Sequence, residues 1–170
     1  MSLREWQKNG WIRQHTTSRK EIAGLLAVVE RDLAASADPN LDGDWRFTIA
    51  YNAALQCASA ALKAEGYDVA KGAGAHMRTI ESLRLTIKDD GTIVNLLQVF
   101  RAKRGGVVYE TTGIASKSEI EELRSLALDL RKRVMVQLRT AHPDLLEPQT
   151  KASGKHRANG MRGDHGESSA

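Results

Sequence analysis

The amino-acid sequence predicts an all-α fold, an up-and-down bundle of about five helices over residues 1–146 followed by a disordered polar tail over 147–170. Three observations predict it. Apolar side chains recur at three- and four-residue spacing through most of the chain, the period of a helix with one buried face. Turn-forming clusters, Ala37-Asp38-Pro39-Asn40-Leu41-Asp42-Gly43 and Asp89-Asp90-Gly91 among them, separate those stretches. No alternating run is long enough to support a sheet. With 170 residues, the chain suits one domain that buries a core without disulfides or metals.

The first 17 residues carry Trp6, Trp11 and Ile12 around Asn9-Gly10, a short amphipathic helical turn broken by glycine. Two large rings so near a terminus are expected to cover a core edge, with a second subunit as the alternative surface. Ser18-Arg19-Lys20-Glu21 has the form of a capping box, so a helix starts there. Its stripe is Ile22, Leu25, Leu26, Val29 and Leu33, and the proline-containing cluster ends it. Asp42 or Asp44 caps the next helix, which carries Trp45, Phe47, Ile49 and a run of alanines before Gly66. Apolar residues over most of its circumference mark it as the central helix. Arg46, Asn52 and Gln56 are its polar exceptions, read as a solvated stripe or a cleft lining.

Gly66 to Gly74 reads as a flexible connection. Gly72-Ala73-Gly74-Ala75 lacks the spacing of a phosphate loop. His76 falls in the first turn of a short helix with Met77, Ile80, Leu83 and Ile87 inward. The positive end of a helix disfavours imidazolium, which keeps His76 neutral near pH 7, able to act as acceptor or donor or serving as a capping or packing side chain. Thr92 opens the following helix, whose stripe is Ile93, Leu96, Leu97 and Phe100. Arg101 and Arg104 then share one side of that helix, and Gly105-Gly106 loosens the backbone before Val107, Val108 and Tyr109. Ser116-Lys117-Ser118-Glu119, or Ser118 to Glu121, caps a last long helix with Ile120, Leu123, Ala127, Leu130, Val134 and Leu138 inward. Its outer face bears Arg124, Asp129, Arg131, Lys132 and Arg133, a solvated surface or a basic patch. Pro143 ends it.

Composition narrows the function classes. The single cysteine, Cys57, lies in an alanine-rich run and packs as a small apolar group. No disulfide can form within the chain, and no apolar leader or membrane-spanning segment is visible, so a cytoplasmic protein is expected. A net charge of +4, from 25 basic and 21 acidic residues, permits nucleic-acid contact without requiring it. Histidines and carboxylates do not cluster at metal-ligand spacing, and His156 and His165 stand apart in the tail. No metal and no cofactor is expected.

Three segments in order, Arg46 to Gln56, Gly72 to Ile80, and Phe100-Arg101-Ala102-Lys103-Arg104-Gly105-Gly106-Val107-Val108-Tyr109-Glu110, resemble the HEPN domains of bacteria, the higher-eukaryote and prokaryote nucleotide-binding superfamily. The resemblance spans Ser18 to Leu146. It implies a homodimer whose cleft pairs an arginine, a following asparagine and, four to six residues on, a histidine, for metal-independent RNA cleavage. Arg104 matches the arginine, Gly105 stands at the asparagine, and Tyr109 at the histidine. The guanidinium suits phosphate, whereas a phenol with a pKa near 10 is a poor base at pH 7. The resemblance therefore implies an RNA- or nucleotide-binding protein, of the toxin-antitoxin or defence kind, with weak or absent endoribonuclease activity.

A branch of the superfamily carries a tyrosine that a nucleotidyltransferase partner, an antitoxin, modifies with AMP. Tyr109 resembles that position, although Val107 stands where those proteins keep a histidine. The candidate residues are thus Arg104 and Tyr109 for catalysis, and Arg101, Lys103, Arg104 and His76 for nucleotide or RNA. Two other accounts compete. In one, the arginines pair with Glu81 or Glu110 as ordinary structure; in the other, the chain is a non-catalytic helical module for protein partners.

Overall fold

A computed structural model describes residues 1–109, 113 and 115–146, and the side chains of 106–109 fall outside that description. The element order is α1 (Leu3–Lys8), β1 (Ile12–Gln14), α2 (Arg19–Ser36), α3 (Gly43–Ala64), β2 (Tyr67–Val69), α4 (Ala75–Glu81), α5 (Leu83–Thr86), α6 (Thr92–Tyr109) and α7 (Lys117–Ala141), closed by a 3-10 turn at Pro143–Leu145. The all-α expectation holds. Four long helices, α2, α3, α6 and α7, make the bundle, and the short helix expected after His76 is two pieces, α4 and α5. The expected disordered tail, 147–170, lies outside the described residues.

α3 is central because its alanines let neighbours approach from several sides. Ala50, Ala53, Ala54, Ala58, Ala60 and Ala61 are all buried, together with Phe47 and Tyr51. α2 and α7 press on it with the stripes read from sequence: Ile22, Val29 and Leu33 from one, and all six expected residues from Ile120 to Leu138 from the other. α6 adds Ile93, Val94, Leu97 and Phe100, and the Phe100 ring meets Phe47 edge-on with centroids 5.6 Å apart. Cys57 is buried in this core; loss of solvation pushes its thiol up to about 12, so it stays protonated and inert. Trp45, expected with the apolar stripe, is instead 62% exposed.

The capping residues act largely as their chemistry dictates. Ser116 and Glu119 form the full reciprocal box. Ser18 accepts the Glu21 amide, but the Glu21 carboxylate turns away to Lys63 Nζ at 2.8 Å and His15 Nε2 at 2.7 Å. Asp42, not Asp44, caps α3; Asp44 instead accepts the amides of Gly113 and Ala115.

Two corrections concern the backbone. Tyr67–Val69 is not a flexible link: it pairs antiparallel with Ile12–Gln14, a ribbon too short to show alternation in sequence. Trp6, Ile12, Leu62 and Val69 form a second small core under it, and Trp11 meets Trp6 edge-on at 5.6 Å. The α6 helix also runs through Gly105-Gly106 to Tyr109 instead of loosening there. Eighteen residues of helix with one packed face tolerate two glycines, each costing about 1 kcal/mol.

Candidate phosphate-binding cleft

The α4 and α6 helices come together at one end of the bundle through Gln98. Its amide nitrogen donates to the Met77 carbonyl at 3.1 Å and to Glu81 at 3.0 Å, while its oxygen accepts from Arg101 Nε at 2.8 Å. Those acceptors fix the amide's orientation, and the oxygen so placed holds Arg101 toward α4. Glu81 is committed to Arg84 and Gln98. It does not neutralise Arg101 or Arg104, as the structural account required, and the alternative acid Glu110 lies outside the described residues.

A cleft of about 370 Å³ opens between these helices, lined by Gly72, Gly74, His76, Met77, Arg101 and Arg104. Gly74 precedes α4 at a φ of 81°, which a side-chain-bearing residue adopts only with strain. That turn brings the chain from β2 to His76. Beneath the cleft, the Arg104 guanidinium lies 5.7 Å from the centroid of the Tyr51 ring, within cation–π range. The His76 ring centroid is 6.2 Å from the same ring, tilted by 41°. Tyr51 is thus a platform shared by both.

Hydrogen bonding is incomplete here. The Tyr51 hydroxyl and Arg104 Nε are buried without a partner among the described residues. Neither Arg101 nor Arg104 makes an ion pair among them, although most neighbouring cations do: Lys103 binds Glu119, and Arg84 binds Glu81 at 2.9 Å. Burying polar groups unsatisfied costs about 1–3 kcal/mol apiece, so this end of the bundle carries a local deficit among the described residues.

The electrostatics follow from the geometry. Loss of solvation, then the positive charges of Arg104 and Arg101, lower the His76 pKa below 6.5, so the imidazole is neutral near pH 7. Burial raises the Tyr51 phenol to about 12 even though both arginines oppose the shift. The phenol therefore keeps its proton. The arrangement offers two permanent cations, one imidazole able to accept or give a proton, and one buried phenolic donor.

Of the candidate residues, Arg101, Arg104 and His76 converge on the cleft. Lys103 does not, because one helical step turns it to Glu119 on α7. Tyr109 ends α6, and its side chain lies outside the described residues. Met77, expected inward, is exposed at the cleft. Tyr51 and Gln98 escaped the sequence reading. Tyr51 sits four residues after Phe47 and three before Ala54, the spacing of an ordinary core position, and Gln98 reads as a solvated side chain.

Among the described residues, the polar groups of α3 and α7 are paired within the fold. Asn52 donates to buried Asp32 at 2.6 Å, and Arg46 binds the Ser36 carbonyl and Glu121, so the α3 exceptions form a structural seam. On α7, Arg124 meets Glu121, Arg131 meets Glu30, and Arg133 meets Asp129, which favours the solvated-surface reading over a basic patch. Among the described residues no group of three metal-ligating side chains occurs, and no helix is long and apolar enough to cross a membrane. Comparison of the chain with protein-family models, with curated proteins and with solved structures finds no match.

Proposed function

We propose that this chain is a HEPN-like cytoplasmic protein that binds the phosphate of RNA or a nucleotide in the α4–α6 cleft and works as a homodimer, as a toxin-antitoxin or defence component. The observation that carries the reading is the pair of guanidiniums, Arg101 and Arg104, which face one cleft beside His76 without a carboxylate partner among the described residues. Guanidinium is the side chain best matched to phosphate oxygens. Met77, which lines the cleft from α4, is an exposed apolar residue, which supports a second copy docking beside it.

His76 also supplies the proton-transfer group that the motif around Arg104 lacks. A neutral imidazole near a phosphate held by two guanidiniums suits removal of the 2'-hydroxyl proton as that oxygen bonds to phosphorus. The P–O5' bond breaks, the departing 5'-oxygen takes a proton from water, and the arginines stabilise charge on the pentacoordinate phosphorus.

The test is binding of a fluorescein-labelled RNA oligonucleotide by polarisation, with and without Arg101→Ala and Arg104→Ala, followed by a cleavage assay in chelator. Binding that falls at least about tenfold in each variant, with melting temperature retained, is the expected result. RNA binding indifferent to both arginines, or none at low salt, would overturn the proposal and leave the protein-interaction module.

A further inference from the structure

A chain of hydrogen bonds runs between α6 and α4 beside the cleft, and its direction is fixed at every link. Arg84 donates through Nη2 to Asn95 Oδ1 at 2.7 Å and through Nε to Glu81 Oε2 at 2.9 Å. A guanidinium only donates and a carboxylate only accepts. The other Glu81 oxygen, Oε1, accordingly meets a donor, the Gln98 amide nitrogen at 3.0 Å. The same nitrogen donates to the Met77 carbonyl at 3.1 Å. Turning the amide over would set its oxygen against two acceptors. Gln98 Oε1 is therefore held toward Arg101, whose Nε donates to it at 2.8 Å.

That last bond decides how Arg101 can meet a ligand. A guanidinium grips two oxygens along either of two edges: the side edge of Nε with one terminal nitrogen, or the end edge of both terminal nitrogens. Gln98 occupies Nε, so the end edge is the one Arg101 brings to the cleft it lines. Arg84, anchored at Nε and Nη2, is not among the lining residues, and neither is Gln98. Gln98 acts on a bound molecule through its partners Arg101 and Met77, of which Arg101 carries the charge. Fixing the arginine before a ligand arrives removes part of the ordering cost that a free, rotamer-rich side chain meets on binding.

We propose that Gln98 is a positioning residue for phosphate recognition. Held by Glu81 and the Met77 carbonyl, it fixes Arg101 at Nε and turns the end edge of the guanidinium to the phosphate. The inference rests on the phosphate reading of the cleft and names a residue outside the lining on which that reading depends.

Nuclear magnetic resonance of the arginine Nε–H groups tests the restraint without a ligand. In the full parent chain, the Arg101 Nε–H is expected to exchange with water at least about tenfold more slowly than that of exposed Arg4. Gln98→Met, which keeps length and charge, should remove the difference, and Gln98→Ala serves the same purpose where the methionine variant folds poorly. Binding of the fluorescein-labelled RNA oligonucleotide then tests the consequence. Gln98→Met is expected to weaken it about five- to tenfold in the parent and in Arg104→Ala, and less than about twofold in Arg101→Ala. A merely structural role would lower affinity equally in all three backgrounds. An Arg101 Nε–H that exchanges as fast as that of Arg4, a Gln98→Met chain that binds RNA like the parent, or a loss undiminished in Arg101→Ala would overturn the proposal. A parent that binds no RNA while the Arg101 Nε–H stays protected would overturn the phosphate reading, and with it the role in recognition, while the restraint itself stands.

Discussion

The Arg104 guanidinium lies over the face of the Tyr51 ring, 5.7 Å from its centroid, and both residues keep a buried polar atom without a partner among the described residues. Arg104 is thus held by an aromatic face and, among the described residues, by no acid. Tyr51→Phe keeps the face and deletes the unsatisfied hydroxyl. The variant is expected to be neutral or more stable by up to about 1 kcal/mol in urea denaturation, whereas Tyr51→Ala should lose about 3–5 kcal/mol of core packing.

His76 gives the site a pH signature. Its folded pKa lies below the ordinary 6.5, so the unfolded chain binds more protons, and the stability linked to this group is complete above 6.5 and lost as pH falls through the folded value. An NMR titration of the ring should show a midpoint below 6.5 in the free protein and a higher one with phosphate bound. RNA affinity should rise as the pH drops through that midpoint, and His76→Gln should remove the rise.

Gly105 faces open space: a Cβ built there meets nothing within 4 Å. Gly105→Ala is expected to stabilise the protein by about 0.5–1 kcal/mol, since the helix is retained while the unfolded chain loses freedom. Gly105→Asn restores the side chain that the resembling domains carry beside the arginine, and is expected to fold as well as the parent. Chemical denaturation of both variants checks this; a loss above about 1 kcal/mol would show that the glycine is required.

The Asp89 carboxylate, buried at the start of α6, accepts the amides of Gly91, Ile93 and Val94 and meets Arg133 at 3.4 Å. Asp89→Ala removes the acceptor for three buried donors. A loss of about 2–4 kcal/mol is expected, read as a lower midpoint in urea with an unchanged slope.

Glu21 joins the ribbon to the bundle. Burial raises its pKa, but the hydrogen bonds from Lys63 and His15 outweigh that and leave it below 4.5. A carboxylate lowered in the fold stabilises above its unfolded value and loses that contribution as pH falls through the folded one. Glu21→Gln should therefore cost about 1–2 kcal/mol at pH 7 and progressively less below pH 4.5.

Sequence by itself determined the helices that bury a continuous stripe. The inward face of α7, the capping serines Ser18 and Ser116, and the alanine-lined centre of α3 follow from periodicity and side-chain chemistry within a few residues of chain. The shared side of Arg101 and Arg104 was legible for the same reason, since three residues along a helix nearly complete a turn. Tertiary structure decided whatever depends on partners distant in sequence. Ile12–Gln14 becomes a strand only because Tyr67–Val69 arrives beside it. Glu21 leaves its cap because Lys63 competes for it, and Lys103 leaves the cleft because Glu119 does. Tyr51 joins the site through Arg104 and His76, residues 53 and 25 positions away along the chain, and no local spacing distinguishes it from the core residues on either side.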